Sequence, residues 1–220
     1  LWPAATRAPR KAMGEKLRIG GFTPFTAIDY PGALAAVVFC QGCPWRCRYC
    51  HNSDLLPAKA PSAYDWEQIL GFLASRQGLL DAVVFSGGEP TAQSALETAV
   101  TQVRALGFKV GLHTAGIYPR KLDRLIPDLD WVGLDIKALP ENYAAITGVE
   151  GSGKAPWQCA ELLAGSDMPL QVRLTRHPVL TSDTELEQIR HKLKEVGISH
   201  LEVQRCNSEK ALDQTLKFLS

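Results

Sequence analysis

The sequence predicts an α/β protein built on parallel strands, and three observations carry that prediction. Short β-branched runs alternate with helix-length stretches six times along the chain. The longer stretches repeat apolar residues at spacings of three and four, as a helix with one buried face requires. Residues suited to chemistry fall just after the β-branched runs, where parallel α/β folds place their ligand sites. A doubly wound open sheet and a partial barrel both satisfy this order.

Strands are expected over residues 33–39, 82–86, 109–113, 131–135, 170–174 and 200–204. Helices are expected near 63–76, 91–106, 119–126, 156–164 and 184–196, with a last one near 208–219. In the 184–196 stretch, Leu186, Ile189, Leu193 and Val196 form one apolar face. Thr184, just behind Asp183, offers its start, with Glu185 and Glu187 at the positive end of the helix dipole. Six such units imply right-handed crossovers between parallel strands.

At 220 residues the chain is long enough for one domain with a substantial core. We expect that domain over residues 17–220, preceded by a disordered or mis-assigned extension over residues 1–16. The 45% hydrophobic content is ordinary, and the net charge of +1 removes the basic excess on which nucleic-acid or membrane-surface binding rests. No segment reaches the ~18 apolar residues of a membrane span. Neither nucleic acid nor membrane is therefore expected as a partner, and a cytoplasmic location is expected. Four of the six cysteines fall within residues 40–50, a clustering that in a reducing compartment points to metal or redox work. Cys159 and Cys206 stand alone and read as small buried residues.

Cys43, Cys47 and Cys50 form a C-x3-C-x2-C run on one loop after the first expected strand. A cubane iron–sulfur cluster takes a thiolate at each iron, so three leave one iron open. A zinc site from Cys40, Cys43, Cys47 and Cys50, or borrowing His51, also fits the ligand types. A redox C-x-x-C of Cys47 and Cys50 leaves Cys43 unexplained. Spacing alone does not decide among these.

Ser86-Gly87-Gly88-Glu89-Pro90 follows the second strand, and its paired glycines let backbone approach a ligand closely. An ordinary βα turn is the plainer reading. Asp135 and Lys137 share a face opposite Ile136, and Arg173 is a cation in a strand expected to be buried. Structural pairing is the plainer reading for each. His113, at a strand end, is placed to line a site, whereas His177, His191 and His200 read as solvated or structural. The stretch 148–154 matches G-x-x-x-x-G-K, but Ala155 and Pro156 follow it and no strand precedes it. It reads as a flexible connection, without nucleotide binding.

Taken together and in this order, the cysteine run, the Ser86–Pro90 turn and the six β/α units resemble the radical S-adenosylmethionine (radical SAM) superfamily. Within it the chain is similar to activating enzymes of glycyl-radical proteins, and among these to the family serving anaerobic ribonucleoside-triphosphate reductase. The residues behind that likeness are Ile28-Asp29-Tyr30-Pro31-Gly32, Gln41-Gly42-Cys43, Tyr49-Cys50-His51-Asn52 and Asp135-Ile136-Lys137-Ala138. The resemblance implies a partial (β/α)6 barrel and a [4Fe-4S] cluster on Cys43, Cys47 and Cys50, with S-adenosylmethionine on the open iron. It further implies reductive cleavage to methionine and a 5′-deoxyadenosyl radical, which takes a hydrogen atom from a glycine of a partner protein. Carried over residue by residue, Tyr49 touches the adenine side. Gly87, Gly88 and Glu89 meet the methionyl amino group, chiefly by backbone. Asp135 and Lys137 address ribose and carboxylate, Arg173 is a further carboxylate partner, and His113 lines the radical's path. His51 is counted among the cofactor contacts, and Cys40 as a non-ligating thiol. An electron donor such as flavodoxin or ferredoxin is implied. The alternatives are a radical enzyme acting on a small molecule, for which the chain is short, and a non-catalytic zinc or iron–sulfur module.

Overall fold

The computed structural model describes residues 15–218, so the expected N-terminal extension lies almost wholly outside the described residues. In chain order the elements are β1 (Ile19–Thr26), β2 (Ala35–Cys40), α1 (Trp66–Ala74), β3 (Ala82–Gly87), α2 (Leu96–Ala105), β4 (Lys109–Thr114) and α3 (Pro119–Leu125). There follow β5 (Trp131–Asp135), α4 (Tyr143–Thr147), α5 (Lys154–Ala164), β6 (Leu170–Arg176), α6 (Asp183–Glu195) and β7 (Glu202–Arg205). All seven strands form one sheet in sequence order. β1 pairs antiparallel with β2, and every later pair is parallel.

That order removes the doubly wound alternative. A doubly wound sheet reverses direction at a switch point, whereas here each crossover steps to the same side and the sheet curls into a partial barrel. Among the described residues β1 and β7 each have a single strand neighbour, which leaves the barrel open between them.

The two faces of the sheet do different work. Ala36, Val38, Val83, Phe85, Val110, Leu112, Val132, Leu134, Val172 and Leu174 point outward and are buried against the helices in the main core. Ala35, Val37, Ala82, Val84 and Trp131 point inward and pack with Tyr30 in a second, smaller cluster. The Tyr30 and Trp131 rings lie 5.5 Å apart, plugging part of the barrel interior. Glycine is needed beside that plug: a Cβ at Gly111 would lie 3.0 Å from the Tyr30 ring, and one at Gly133 would lie 2.9 Å from Trp131. The interior above the plug is left for a site.

Local chemistry sets the helix starts. The Asp65 carboxylate accepts the Glu67 N–H at 2.9 Å to cap α1, and the Ser182 hydroxyl accepts the Glu185 N–H at 3.1 Å to cap α6. The cap of α6 is therefore Ser182 rather than Thr184. The helix expected over 91–106 opens as a 3₁₀ turn, Pro90–Ala92, before α2 begins. The last expected helix is replaced by two 3₁₀ segments, Ser208–Lys210 and Gln214–Phe218. β1 went unread because Gly20, Gly21 and Pro24 mask its pattern. The 148–153 connection is tied down rather than flexible: Thr147 and Ser152 hydroxyls lie 2.7 Å apart, and a Cβ on Gly153 would meet the Pro140 carbonyl oxygen at 2.2 Å.

Candidate active site

The loop after β2 is held in place along its length. Gln41, buried, donates its side-chain amide to the carbonyls of Asp54 at 3.0 Å and Pro57 at 2.9 Å. The Gly42 N–H reaches Leu55 O at 2.7 Å and the Cys43 N–H reaches Leu56 O at 3.1 Å. Further on, the Arg46 and Arg48 N–H groups donate to the carbonyls of Thr147 and Ile146 at 3.0 and 2.9 Å. The Cys50 N–H closes a turn on Cys47 O at 2.9 Å. All six cysteines are free. Cys40, Cys159 and Cys206 are buried, and Cys40 packs in the main core away from the cavity described below.

Against this loop lies the glycine turn that ends β3. Gly87 has φ +109°, and a Cβ there would fall 2.5 Å from the Cys40 nitrogen. A Cβ on Gly88 would fall 2.4 Å from the Gly42 oxygen. Only glycine lets the two turns meet. The Glu89 side chain takes no part in the cavity, which leaves only its backbone for the expected contact with a ligand. Its carboxylate is fully buried behind the turn and does not line the cavity. Its Oε1 accepts from Thr91 N, Thr91 Oγ1 and Thr114 Oγ1 at 3.1, 2.5 and 2.7 Å, and its Oε2 accepts from Ala115 N at 2.9 Å. Burial raises its pKa, opposed by those four donors. Glu89 thus ties the end of β3 to the end of β4.

Three charged side chains, Asp135 and Lys137 at and just beyond the end of β5 and Arg173 in the middle of β6, meet as their strand positions predict. Asp135 and Arg173 are register partners. Asp135 Oδ1 accepts from Arg173 Nε at 3.1 Å and Nη2 at 2.9 Å, while Oδ2 lies 3.8 Å from Lys137 Nζ. Burial works to raise the Asp135 pKa, but Arg173 and Lys137 outweigh it and hold the carboxyl below its ordinary range. Burial likewise opposes the Lys137 charge, yet Tyr49, Asp135 and Cys47 keep its pKa well above the usual lysine value. Its ammonium sits 5.6 Å from the centre of the Tyr49 ring.

His113 is bracketed by neighbours that fix its tautomer. Nε2 lies 3.1 Å from the Asp29 carbonyl oxygen, which can only accept, so Nε2 carries the proton. Nδ1 then accepts, with Arg173 Nη1 at 3.4 Å. Burial and the Arg173 charge lower its pKa to about 4, so the ring is neutral at working pH.

These groups enclose one cavity of about 500 Å3. Cys43, Cys47, Cys50, Tyr49, His51, Gly87, Gly88, His113, Asp135, Lys137 and Arg173 all line it. Ile28, Asp29, Trp45, Asn52, Ser86, Thr175 and Gln204 line it too, beyond the residues expected as cluster ligands and cofactor contacts. Thr175 was legible, since it lies two residues beyond Arg173 on the same strand face. The loop carrying Ile28 and Asp29 had no such signal, because it reaches the cavity by folding back under His113.

The cavity fits a cluster with a bound cofactor on its own chemistry. Burial pushes the Cys43 thiol up to about 12, and it raises Cys47 against the pull of Lys137, so thiolates here need a bound cation. Tyr49 lines the cavity, while its hydroxyl is buried without a hydrogen-bond partner. The volume lies within the range of about 300–1,000 Å3 usual for small-molecule sites.

Known proteins resemble this chain in sequence and in fold. It is 27% identical over 214 residues to a Methanocaldococcus jannaschii protein described as a glycyl-radical enzyme activating enzyme, covering 93% of this chain and 86% of that one. It is 31% identical over 176 residues to the pyruvate formate-lyase-activating enzyme of Streptococcus mutans, covering 73% of this chain and 65% of that enzyme. Among solved structures, Streptococcus suis SuiB bound to its precursor peptide SuiA matches with a TM-score of 0.63 at 12% identity, over 83% of this chain and 44% of SuiB. The structure of anSMEcpe with bound AdoMet matches with a TM-score of 0.61 at 17% identity, over 76% of this chain and 49% of that one. These two matches speak for the fold. Residues 37–199 match the model of the radical SAM superfamily. The chain therefore belongs to that superfamily, whose enzymes work with a [4Fe-4S] cluster and S-adenosylmethionine, and it is homologous to glycyl-radical enzyme activating enzymes.

Proposed function

We propose that this enzyme installs a glycyl radical in a partner protein, and that the partner is anaerobic ribonucleoside-triphosphate reductase. The observation that carries the reading is the single cavity into which the cysteine loop, the glycine turn and the Asp135–Arg173–Lys137 group all open. The likeness to activating enzymes supports the reaction class. The Ile28-Asp29-Tyr30-Pro31-Gly32 and Tyr49-Cys50-His51-Asn52 segments support the reductase as partner.

In this reading Cys43, Cys47 and Cys50 hold the cluster, with S-adenosylmethionine beside it. Bound together, the reduced cluster and S-adenosylmethionine supply one-electron cleavage of the sulfonium and, from it, abstraction of a hydrogen atom. The chain's own residues bind and orient. Backbone carbonyls of the Gly87–Gly88 turn accept from the methionyl ammonium. Lys137 and Arg173, cationic and largely buried, offset the cofactor's carboxylate, and Asp135 keeps both in position. Tyr49 lies on the adenine side, His51 lines the same cavity, and neutral His113 lines the path without adding charge. The electron comes from a donor such as flavodoxin or ferredoxin in the cytoplasm. Among the described residues no helix is long and apolar enough to cross a membrane.

Anaerobic mixing of the reconstituted, reduced enzyme with S-adenosylmethionine and the reductase tests this. The expected result is an oxygen-sensitive glycyl-radical signal by electron paramagnetic resonance on the reductase. Cofactor cleavage without that signal, from every glycyl-radical protein tried, would overturn the partner and favour a small-molecule substrate.

A further inference from the structure

Arg48, the first of the two residues between the last two cysteines, is gripped by a segment far along the chain. Arg48 donates its N–H to Ile146 O at 2.9 Å, accepts the Asp213 N–H on its own carbonyl at 2.7 Å, and donates Nε to Asp213 Oδ2 at 2.8 Å. Its backbone donor, backbone acceptor and side chain are therefore all fixed by partners remote in sequence. Locally, the Cys47–Cys50 turn carries one backbone bond, from Cys50 N–H to Cys47 O.

Asp213 is itself held. Its Oδ1 accepts from the Thr215 N–H at 3.0 Å and the Thr215 hydroxyl at 2.6 Å. Ala211 and Leu216 on either side are buried, and the Leu216 carbonyl accepts from Nε2 of buried His177 at 3.1 Å. This grip is what diverts the chain from the continuous helix its sequence suggests. The Thr215 bonds, with Arg48, hold the Asp213 carboxyl below its ordinary range, at about 2, so it stays ionised throughout the neutral range.

We propose that Asp213 is a positioning residue for the iron–sulfur loop: by holding Arg48 it fixes the Cys47–Cys50 turn and retards loss of the cluster. The inference rests on reading Cys43, Cys47 and Cys50 as the cluster ligands. A partly exposed ion pair adds little to global stability, but local opening of a ligand loop depends on the few bonds that close it. Cluster retention and overall stability should therefore respond differently to its removal.

The test is the rate at which reconstituted holoprotein loses iron to a chelator, followed by bleaching of its visible absorbance, beside thermal unfolding of the apoprotein. Asp213→Ala should lose iron about 5- to 10-fold faster, the worth of one ordinary hydrogen bond in a local opening, since the pair is partly exposed, with little change in the unfolding midpoint. Arg48→Gln should do the same, and the double variant should be no faster than either single one, since both remove one interaction. Glu209→Ala, which breaks the Glu209–Lys217 pair in the same segment, should keep the wild-type rate. Wild-type iron loss in Asp213→Ala, or equal acceleration in Glu209→Ala, would overturn the proposal. If Asp213→Ala does not fold, Arg48→Gln decides, because it leaves the 211–217 segment intact. Cys47→Ala, measured in parallel, separates the two readings. A full iron complement in that variant would remove the ligand assignment, whereas an iron-free one leaves the clamp to stand or fall on Asp213.

Discussion

Asp135 holds Arg173 through a single carboxylate oxygen, with Oδ1 3.1 Å from Nε and 2.9 Å from Nη2, and turns its other oxygen toward Lys137. The pair joins the end of β5 to the middle of β6 at the cavity wall. Structural pairing therefore does not compete with the proposed role of these residues at the site.

Replacing Arg173 separates the two effects. Arg173→Met keeps the bulk but removes the cation and leaves the half-buried Asp135 with Lys137 alone. S-adenosylmethionine affinity should fall at least ~10-fold, or about 1.4 kcal/mol. Denaturant unfolding should show a loss of about 1–3 kcal/mol. Calorimetric titration of the reconstituted protein checks the first figure, and unchanged affinity would remove Arg173 from the cofactor's contacts.

Glu89 has the opposite balance. Glu89→Ala would strand the Thr91 and Ala115 N–H groups and two threonine hydroxyls in the interior. A loss of about 3 kcal/mol is expected in urea unfolding. Glu89→Gln should recover part of it, because one acceptor oxygen remains while the new NH2 opposes the Ala115 N–H. An alanine variant as stable as wild type would show that Glu89 does not tie β3 to β4.

His113 gives a pH signature. Its folded pKa of about 4 lies below the ordinary 6.5, chiefly through burial and then the Arg173 charge. Between those values the unfolded chain binds a proton that the folded chain does not. Its contribution is thus complete above pH 6.5 and is lost as pH falls toward 4, by at most about 3 kcal/mol. Relative to His113→Gln, wild type should lose stability over that window. Parallel profiles for the two proteins would contradict the shift.

Strand periodicity made much of this legible. Period-2 alternation placed Asp135 and Lys137 together, and the six β/α units placed the cysteine loop, the glycine turn and His113 at one end of the sheet. Alternation could not reveal that Glu89 turns inward, because its four donors come from two different strand ends. Nor could it find the 211–217 segment, where bonds to Arg48 and His177 override a helical pattern. The choice between an open sheet and a barrel depended on strand order, which alternation alone leaves unset.

On the proposed function, Cys43, Cys47 and Cys50 hold a four-iron cluster with one iron free for S-adenosylmethionine. Electron paramagnetic resonance of the anaerobically reconstituted, reduced protein, with and without S-adenosylmethionine, tests it most directly. The expected result is about four irons per chain and a cluster signal whose shape changes when the cofactor is added. A colourless protein with one tightly bound zinc, or a cluster signal indifferent to the cofactor, would contradict it.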